Sequence, residues 1–251
     1  MVPQVTSAED LTFIHEECDE ETGNCHTTFA YFDKNDTGYF GNLSLPKHEI
    51  KLEQLAFALT PVPDEHLFPE WAGSGVKLTE APETSPFNIY IKRPSIVLYD
   101  VFREHDVLDL IPKDLLEEAK VMEMLSQHPH PHVIRYHGCH VRRHRIVGLV
   151  LDRHSNTLAD YLKKNVGSLD ESRFMQALKS AIYHLHSIKW THNDLHPNNI
   201  MVDESGGQGG PRGAKGWIEG EMKDYHTSDS SHDLFALEKL RTWLESPAFN
   251  D

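Results

Sequence analysis

The sequence predicts an α+β fold, in which an alternating strand pattern is followed by two stretches of helical spacing. Three observations predict it. Residues 87–94 alternate apolar and polar side chains as a half-buried strand does, and that run carries Lys92 near its end. Residues 112–126 place Leu115, Glu118, Met122 and Leu125 at i, i+3, i+7 and i+10, which is one stripe of an α-helix. Phe174, Leu178, Ala181, Ile182, Leu185 and Ile188 repeat at helical spacing and lead into an Asn- and Pro-rich turn at 192–199.

The first 84 residues are the least patterned. Residues 27–32 and 49–59 have apolar content enough for elements, and Pro61, Pro63 and Pro69 punctuate the stretch after them. Residues 33–38 begin like a calcium loop, with oxygen-bearing side chains at positions 1, 3 and 5 and Gly38 at position 6. Position 12 is Ser44, where a bidentate glutamate belongs, so a hairpin turn is expected instead.

A lysine at the end of a strand is usually just solvated, so Lys92 needs a partner to carry meaning. Glu118 supplies one, because it sits on the apolar stripe of the following helix, where an unpaired carboxylate costs on the order of several kcal/mol. Glu117 and Glu123 have no such placement and belong to a solvated face. A Lys92–Glu118 ion pair is therefore expected. Residues 145–151 form an apolar run short enough for a buried strand, and Arg142-Arg143-His144-Arg145 marks an exposed hairpin turn before it. Asp152-Arg153-His154 come next, and Thr157 with Asp160 has capping-box spacing at the start of a short helix.

The last helix-and-turn pair carries the chemistry. His192-Asn193-Asp194-Leu195-His196-Pro197-Asn198-Asn199 sets Asp194 five positions before Asn199. Turns collect Asn and Pro in any case. With the ordered pieces before it, however, the string resembles the catalytic loop of the protein-kinase superfamily, where one carboxylate meets a hydroxyl and an amide oxygen nearby holds a metal. Residues 128–138, beginning His128-Pro129, are similar to the turn that joins the glutamate helix of kinases to the next strand, and residues 145–162 to the hinge and the helix after it. Gly216-Trp217-Ile218-Glu219-Gly220-Glu221 loosely resembles the end of an activation segment, with Glu221 in the position of its structural glutamate. Asp233-Leu234-Phe235-Ala236-Leu237 resembles the start of the helix whose aspartate holds the catalytic loop's backbone.

The resemblance runs from about residue 87 to 244. It implies a bilobal protein-kinase-like fold with a β-rich small lobe and a truncated helical large lobe. Residues 85–154 would be the small lobe and hinge, 155–251 the large lobe, and 1–84 an extension available to pack on the small lobe. It implies ATP and Mg²⁺ as cofactors and phosphoryl transfer to Ser/Thr hydroxyls of a protein substrate. Residue by residue, it makes Asp194 the base or hydroxyl-orienting group and Asn199 a metal ligand. Lys92, held by Glu118, falls on the α/β-phosphates, and Asp152 at the hinge and His196 in the loop belong to nucleotide binding.

Departures from the family pattern define the alternatives. The aspartate of an Asp-Phe-Gly motif should follow the asparagine by roughly a dozen residues and chelate Mg²⁺. Residues 202–213 are glycine-rich and contain no such motif. Asp203 and Glu204 stand too close to Asn199, and Asp224 lies beyond the activation-segment glycine. A chain lacking this ligand is expected to be a poor catalyst, so a pseudokinase that binds partners is the alternative, and loss of a short coding stretch between Val202 and Gly216 a further one. Gly73-Ser74-Gly75-Val76 stands near the place of the nucleotide-covering loop but lacks its third glycine and reads more simply as a surface turn. Asn193 replaces the arginine that pairs a phosphorylated activation loop. His196 replaces a lysine and is more familiar in kinases of small molecules such as aminoglycosides and choline, a third reading.

Composition bounds the partners. The 251 residues are 39% hydrophobic, enough for a real core, and the net charge of −15 argues against nucleic acid, whose binding draws on clustered Lys and Arg. No apolar run approaches the roughly 20 residues of a membrane helix, and the N-terminus lacks a secretory pattern, so no membrane partner and a cytoplasmic or nucleocytoplasmic location are expected. Cys18, Cys25 and Cys139 form no disulfide framework without an orphan, which suits a reducing compartment. The histidines at 128, 130, 132, 137, 140 and 144, with Cys139, invite a zinc reading, but no Cys-x-x-Cys completes a set and none is expected.

Overall fold

The structure, a computed structural model, describes residues 5–19, 21–71, 75, 77–83, 88–202 and 230–249. In chain order the elements are β1 (Phe13–Cys18), β2 (Cys25–Phe32), β3 (Gly38–Leu43), α1 (Leu52–Ala58), β4 (Thr60–Pro61), α2 (Asp64–Leu67), β5 (Ile89–Lys92) and α3 (Tyr99–Glu104). After these come α4 (Leu110–Ser126), β6 (Tyr136–Arg142), β7 (Arg145–Asp152), β8 (Asn156–Thr157), α5 (Leu158–Lys163), α6 (Glu171–Ser187), β9 (Met201–Val202) and α7 (Ser230–Glu245). This is an α+β fold, with a four-stranded sheet of order β1-β2-β3-β4, a three-stranded sheet of order β5-β7-β6 and the pair β8-β9. Among the described residues no helix is long and apolar enough to cross a membrane.

The chain forms two compact units. The first comprises Met1–Ala81, Ile91–Val121 and Gly138–Val150. Its N-terminal sheet is antiparallel, and Phe29, Tyr39, Leu55 and Leu59 build its core against Val5. The turn between β2 and β3 is held by Asp33, whose Oδ1 accepts the N–H groups of Asn35 and Thr37 at 2.8 Å each, and Asp36 takes the left-handed conformation at φ 65°. Residues 33–38 are thus the hairpin turn expected of them. The turn between β6 and β7 has Arg143 and His144 at φ 50° and 58°, the doubly left-handed geometry that matches strand twist.

The cysteines require a correction. Cys18 and Cys25 are cross-strand partners in the β1–β2 ladder and form a disulfide, leaving Cys139 as a buried thiol. Counting residues could not reveal that register, and the cysteine content lends no support to a reducing compartment.

The second unit comprises Pro82–Tyr90, Met122–His137 and Leu151–Asp251. Thr157 caps α5 by accepting the N–H of Asp160 at 3.1 Å, and Asp170 caps α6 by accepting that of Arg173 at 3.1 Å. α6 buries Phe174, Leu178, Ala181, Ile182 and Leu185 of the predicted stripe, while Ile188, its last member, is the C-cap and half-buried. β8 and β9 pair Asn156 with Val202 and Thr157 with Met201, tying the segment after residue 199 to the start of α5. α7 buries Asp233, Leu237, Leu240 and Leu244.

Some expectations lie outside the described residues: Gly73, Ser74 and Val76 of the glycine loop, Asp203 and Glu204, the 216–221 segment and Asp224.

Candidate functional site

In the first unit the site is built on β5 and α4. The stripe of α4 is as predicted, with Leu115, Met122 and Leu125 buried together with Ile111 and Ala119. Lys92, at the end of β5, donates through Nζ to Glu118 Oε1, and both side chains are 18% exposed. Enough solvent reaches the pair for the ammonium to meet a ligand, while the carboxylate fixes its direction. Glycine is required at 148 on β7, because a Cβ there would lie 2.7 Å from the Lys92 carbonyl oxygen. Glu117 is exposed and pairs with Lys120 at 2.6 Å, the solvated face expected of it.

In the second unit α6 ends in a chain reversal, with Lys189 at φ 64°, and delivers the 192–199 loop. The loop is clamped from beneath by Asp233, which is 0% exposed. Its Oδ2 accepts the N–H of His192 at 2.7 Å and its Oδ1 that of Asn193 at 2.7 Å, while His186 Nε2 lies 2.8 Å from Oδ2. Asn193 is left-handed at φ 59°, a conformation Asn tolerates well. Leu195 and Ile200 are buried and anchor the loop on either side of its polar residues.

Burial pushes the imidazole of His192 down to about 4, against the opposing pull of the Asp233 carboxylate. The ring is therefore neutral at physiological pH, and its Nδ1 accepts the N–H of Asp194 at 3.3 Å. Asn199 donates through Nδ2 to the backbone carbonyl of Asp194 at 3.0 Å and to its carboxylate, and its Oδ1 is the acceptor of the carboxamide. His196 Nε2 stands 3.4 Å from Asp194 Oδ1. Asp194, His196 and Asn199 are thus brought together. Asp152 is elsewhere in the unit: its carboxylate lies 2.7 Å from His137 Nε2 and its N–H donates to the Arg135 carbonyl at 3.1 Å.

Three other histidines have partners of their own. His140 Nε2 meets Asp36 at 3.0 Å, His130 Nε2 meets Ser180 Oγ at 3.1 Å, and His184 Nε2 meets the His128 carbonyl at 2.8 Å. Among the described residues the only grouping of three metal-ligating side chains is Glu16 with Cys18 and Cys25, whose sulfurs are in the disulfide.

Residues 94–209 match the family described as protein kinase domain. Over that stretch the chain is similar to protein kinases. The kinase match begins just beyond Lys92 and includes Glu118, Asp152, Asp194, His196 and Asn199. The chain is 28% identical over 124 residues to the serine/threonine-protein kinase/endoribonuclease IRE1 of Hypocrea jecorina, covering 46% of this chain and 9% of that protein. It is 29% identical over 96 residues to NUAK family SNF1-like kinase 2 of Rattus norvegicus, covering 38% and 15%. It is 31% identical over 77 residues to the carbon catabolite-derepressing protein kinase of Candida glabrata, covering 30% and 12%. The matches therefore span 9 to 15% of the length of these kinases.

Sequence reasoning missed one group near Lys92. Arg93 pairs with Asp36, a residue 57 positions away that also meets His140. The local signal was an arginine directly after Lys92 and an aspartate inside a turn already explained as a turn. Neither points to the other.

Proposed function

We propose that this kinase-like chain binds ATP and transfers a phosphoryl group to Ser/Thr hydroxyls of proteins. The observation that carries the reading is the loop held by Asp233, on which a carboxylate and a carboxamide oxygen are kept in fixed relation. Bound ATP with Mg²⁺ supplies the phosphoryl group and neutralises its charge. Asp194 orients the acceptor hydroxyl and takes its proton, and the hydrogen bond from Asn199 fixes the rotamer from which it does so. Asn199 Oδ1 is a hard oxygen of the kind Mg²⁺ accepts. The Lys92 ammonium, directed by Glu118, fits the α/β-phosphates as a charge-assisted donor.

A second reading is favoured by one specific observation, the absence of an Asp-Phe-Gly motif in residues 202–213. It makes the chain a pseudokinase that recognises protein partners without transfer. Labelled-phosphate incorporation from ATP into basic proteins tests the choice. The proposal expects incorporation that Asp194→Asn abolishes. ATP binding without transfer favours the pseudokinase, and transfer only to an amino sugar or alcohol, in keeping with His196, favours a small-molecule kinase.

A further inference from the structure

Lys92 is the last residue of β5 and Arg93 follows it directly, and the two side chains go to different partners. Lys92 turns to Glu118. Arg93 is fixed at three points: Nη1 donates to the Val147 carbonyl at 2.9 Å, Nη2 donates to Asp36 Oδ1, and the guanidinium lies 5.7 Å from the ring centroid of Phe32. Phe32 and Asp36 belong to the hairpin of β2 and β3. The N-terminal sheet thus grips the residue next to the phosphate-facing lysine.

Asp36 is the junction of this grip. It is 6% exposed and also lies 3.0 Å from His140 Nε2. Burial by itself raises its carboxyl, but the His140 hydrogen bond and the Arg93 charge outweigh that and hold it below the ordinary carboxylate value. The turn around it is clamped by Arg143, which donates to the carbonyls of Asn35 at 2.6 Å and Asp36 at 3.1 Å and forks onto Asp64 at 2.6 and 3.0 Å. The backbone of Lys92 has little slack on the other side, since its carbonyl oxygen fills the space a side chain at 148 would need.

We propose that Asp36, acting through Arg93, is a positioning residue for Lys92, so that the N-terminal hairpin is an input to the phosphate-binding lysine. The inference rests on the reading of Lys92 given above. Anything that shifts the β2–β3 turn, such as a partner on the N-terminal sheet, changes the direction of the Lys92 ammonium and with it the hold on an anionic ligand.

The test uses the full chain with its lysines reductively ¹³C-dimethylated, so that each gives an NMR signal, and Lys92→Arg identifies the signal of Lys92. In Asp36→Asn, which keeps the shape of the side chain and removes its charge, that signal is expected to move toward those of exposed lysines. ATP affinity is expected to fall roughly tenfold, within the usual range of coupling between sites. Asp64→Asn, which breaks the Arg143 fork on the same turn but not the Arg93 pair, is expected to lower thermal stability and leave the Lys92 signal in place. Should Asp36→Asn fail to fold, Arg93→Lys, which keeps a charge but lacks a second nitrogen for Val147, is measured in the same way. A Lys92 signal that stays put in the folded variant overturns the proposal. If ATP leaves the wild-type Lys92 signal unmoved, the nucleotide reading fails, and the Asp36-dependent shift decides the inference by itself.

Discussion

Asp233 shows how one buried side chain holds the 192–199 loop in shape. Two backbone N–H groups, of His192 and Asn193, have their acceptors on this carboxylate. An unsatisfied buried donor costs about 1–3 kcal/mol, so Asp233→Ala is expected to lower the unfolding free energy by roughly 3 kcal/mol or more, read by urea denaturation. His192 adds a pH dependence whose sign comes from its depressed value of about 4, caused first by burial. Between about pH 6.5 and 4 the unfolded chain binds a proton at this position that the folded chain does not. Its contribution is therefore complete above that window and lost as pH falls through it, with a slope on the order of 1 kcal/mol per pH unit at most. Denaturation at pH 7.5 and pH 5 is expected to show this loss, and His192→Phe to flatten the difference. An unchanged slope in that variant would assign the acid sensitivity to other groups.

At the scale of elements, legibility followed the range of the interactions. α4 and α6 were readable because their apolar residues repeat within one helix, and the observed stripes follow the predicted spacing except at Ile188, which caps α6. The α5 start was readable because a cap is local, and Thr157→Ala is expected to cost about 1 kcal/mol, measurable by thermal unfolding, while leaving the β8–β9 pair in place. α3 (Tyr99–Glu104) was not anticipated, since six residues are too few for a helical period to show. β5 was found within the run at 87–94 but is limited to Ile89–Lys92. The 192–199 loop was legible as a string, and the Lys92–Glu118 pair followed from the cost of a lone carboxylate on an apolar stripe. The Asp36–Arg93 pair and the Cys18–Cys25 bridge were not, because each depends on how separate strands come into register.

At the scale of the whole molecule, the net charge of −15 bears on what approaches it and on the ATP binding proposed for it. An acidic chain attracts basic proteins and repels a nucleotide polyanion, both effects weakening with salt. In the proposed reading local groups must overcome that field, and Lys92, paired with Glu118, is the cation to which that role is assigned. Mg²⁺ normally compensates phosphate charge, but it takes one or two carboxylates besides the phosphates, and Asn199 offers only a neutral oxygen. The sequence from 202 to 213 contains no Asp-Phe-Gly to add one. ATP is therefore expected to stabilise the protein weakly, and Mg²⁺ to add little. Saturating ligand at a hundred times its Kd contributes about 2.7 kcal/mol, so a thermal-shift titration with ATP, with and without Mg²⁺, resolves the two cases. A large Mg²⁺-dependent rise in Tm would mean that another carboxylate, with Asp203 and Asp224 the first to substitute, completes the metal site, and would favour the proposed kinase over the pseudokinase.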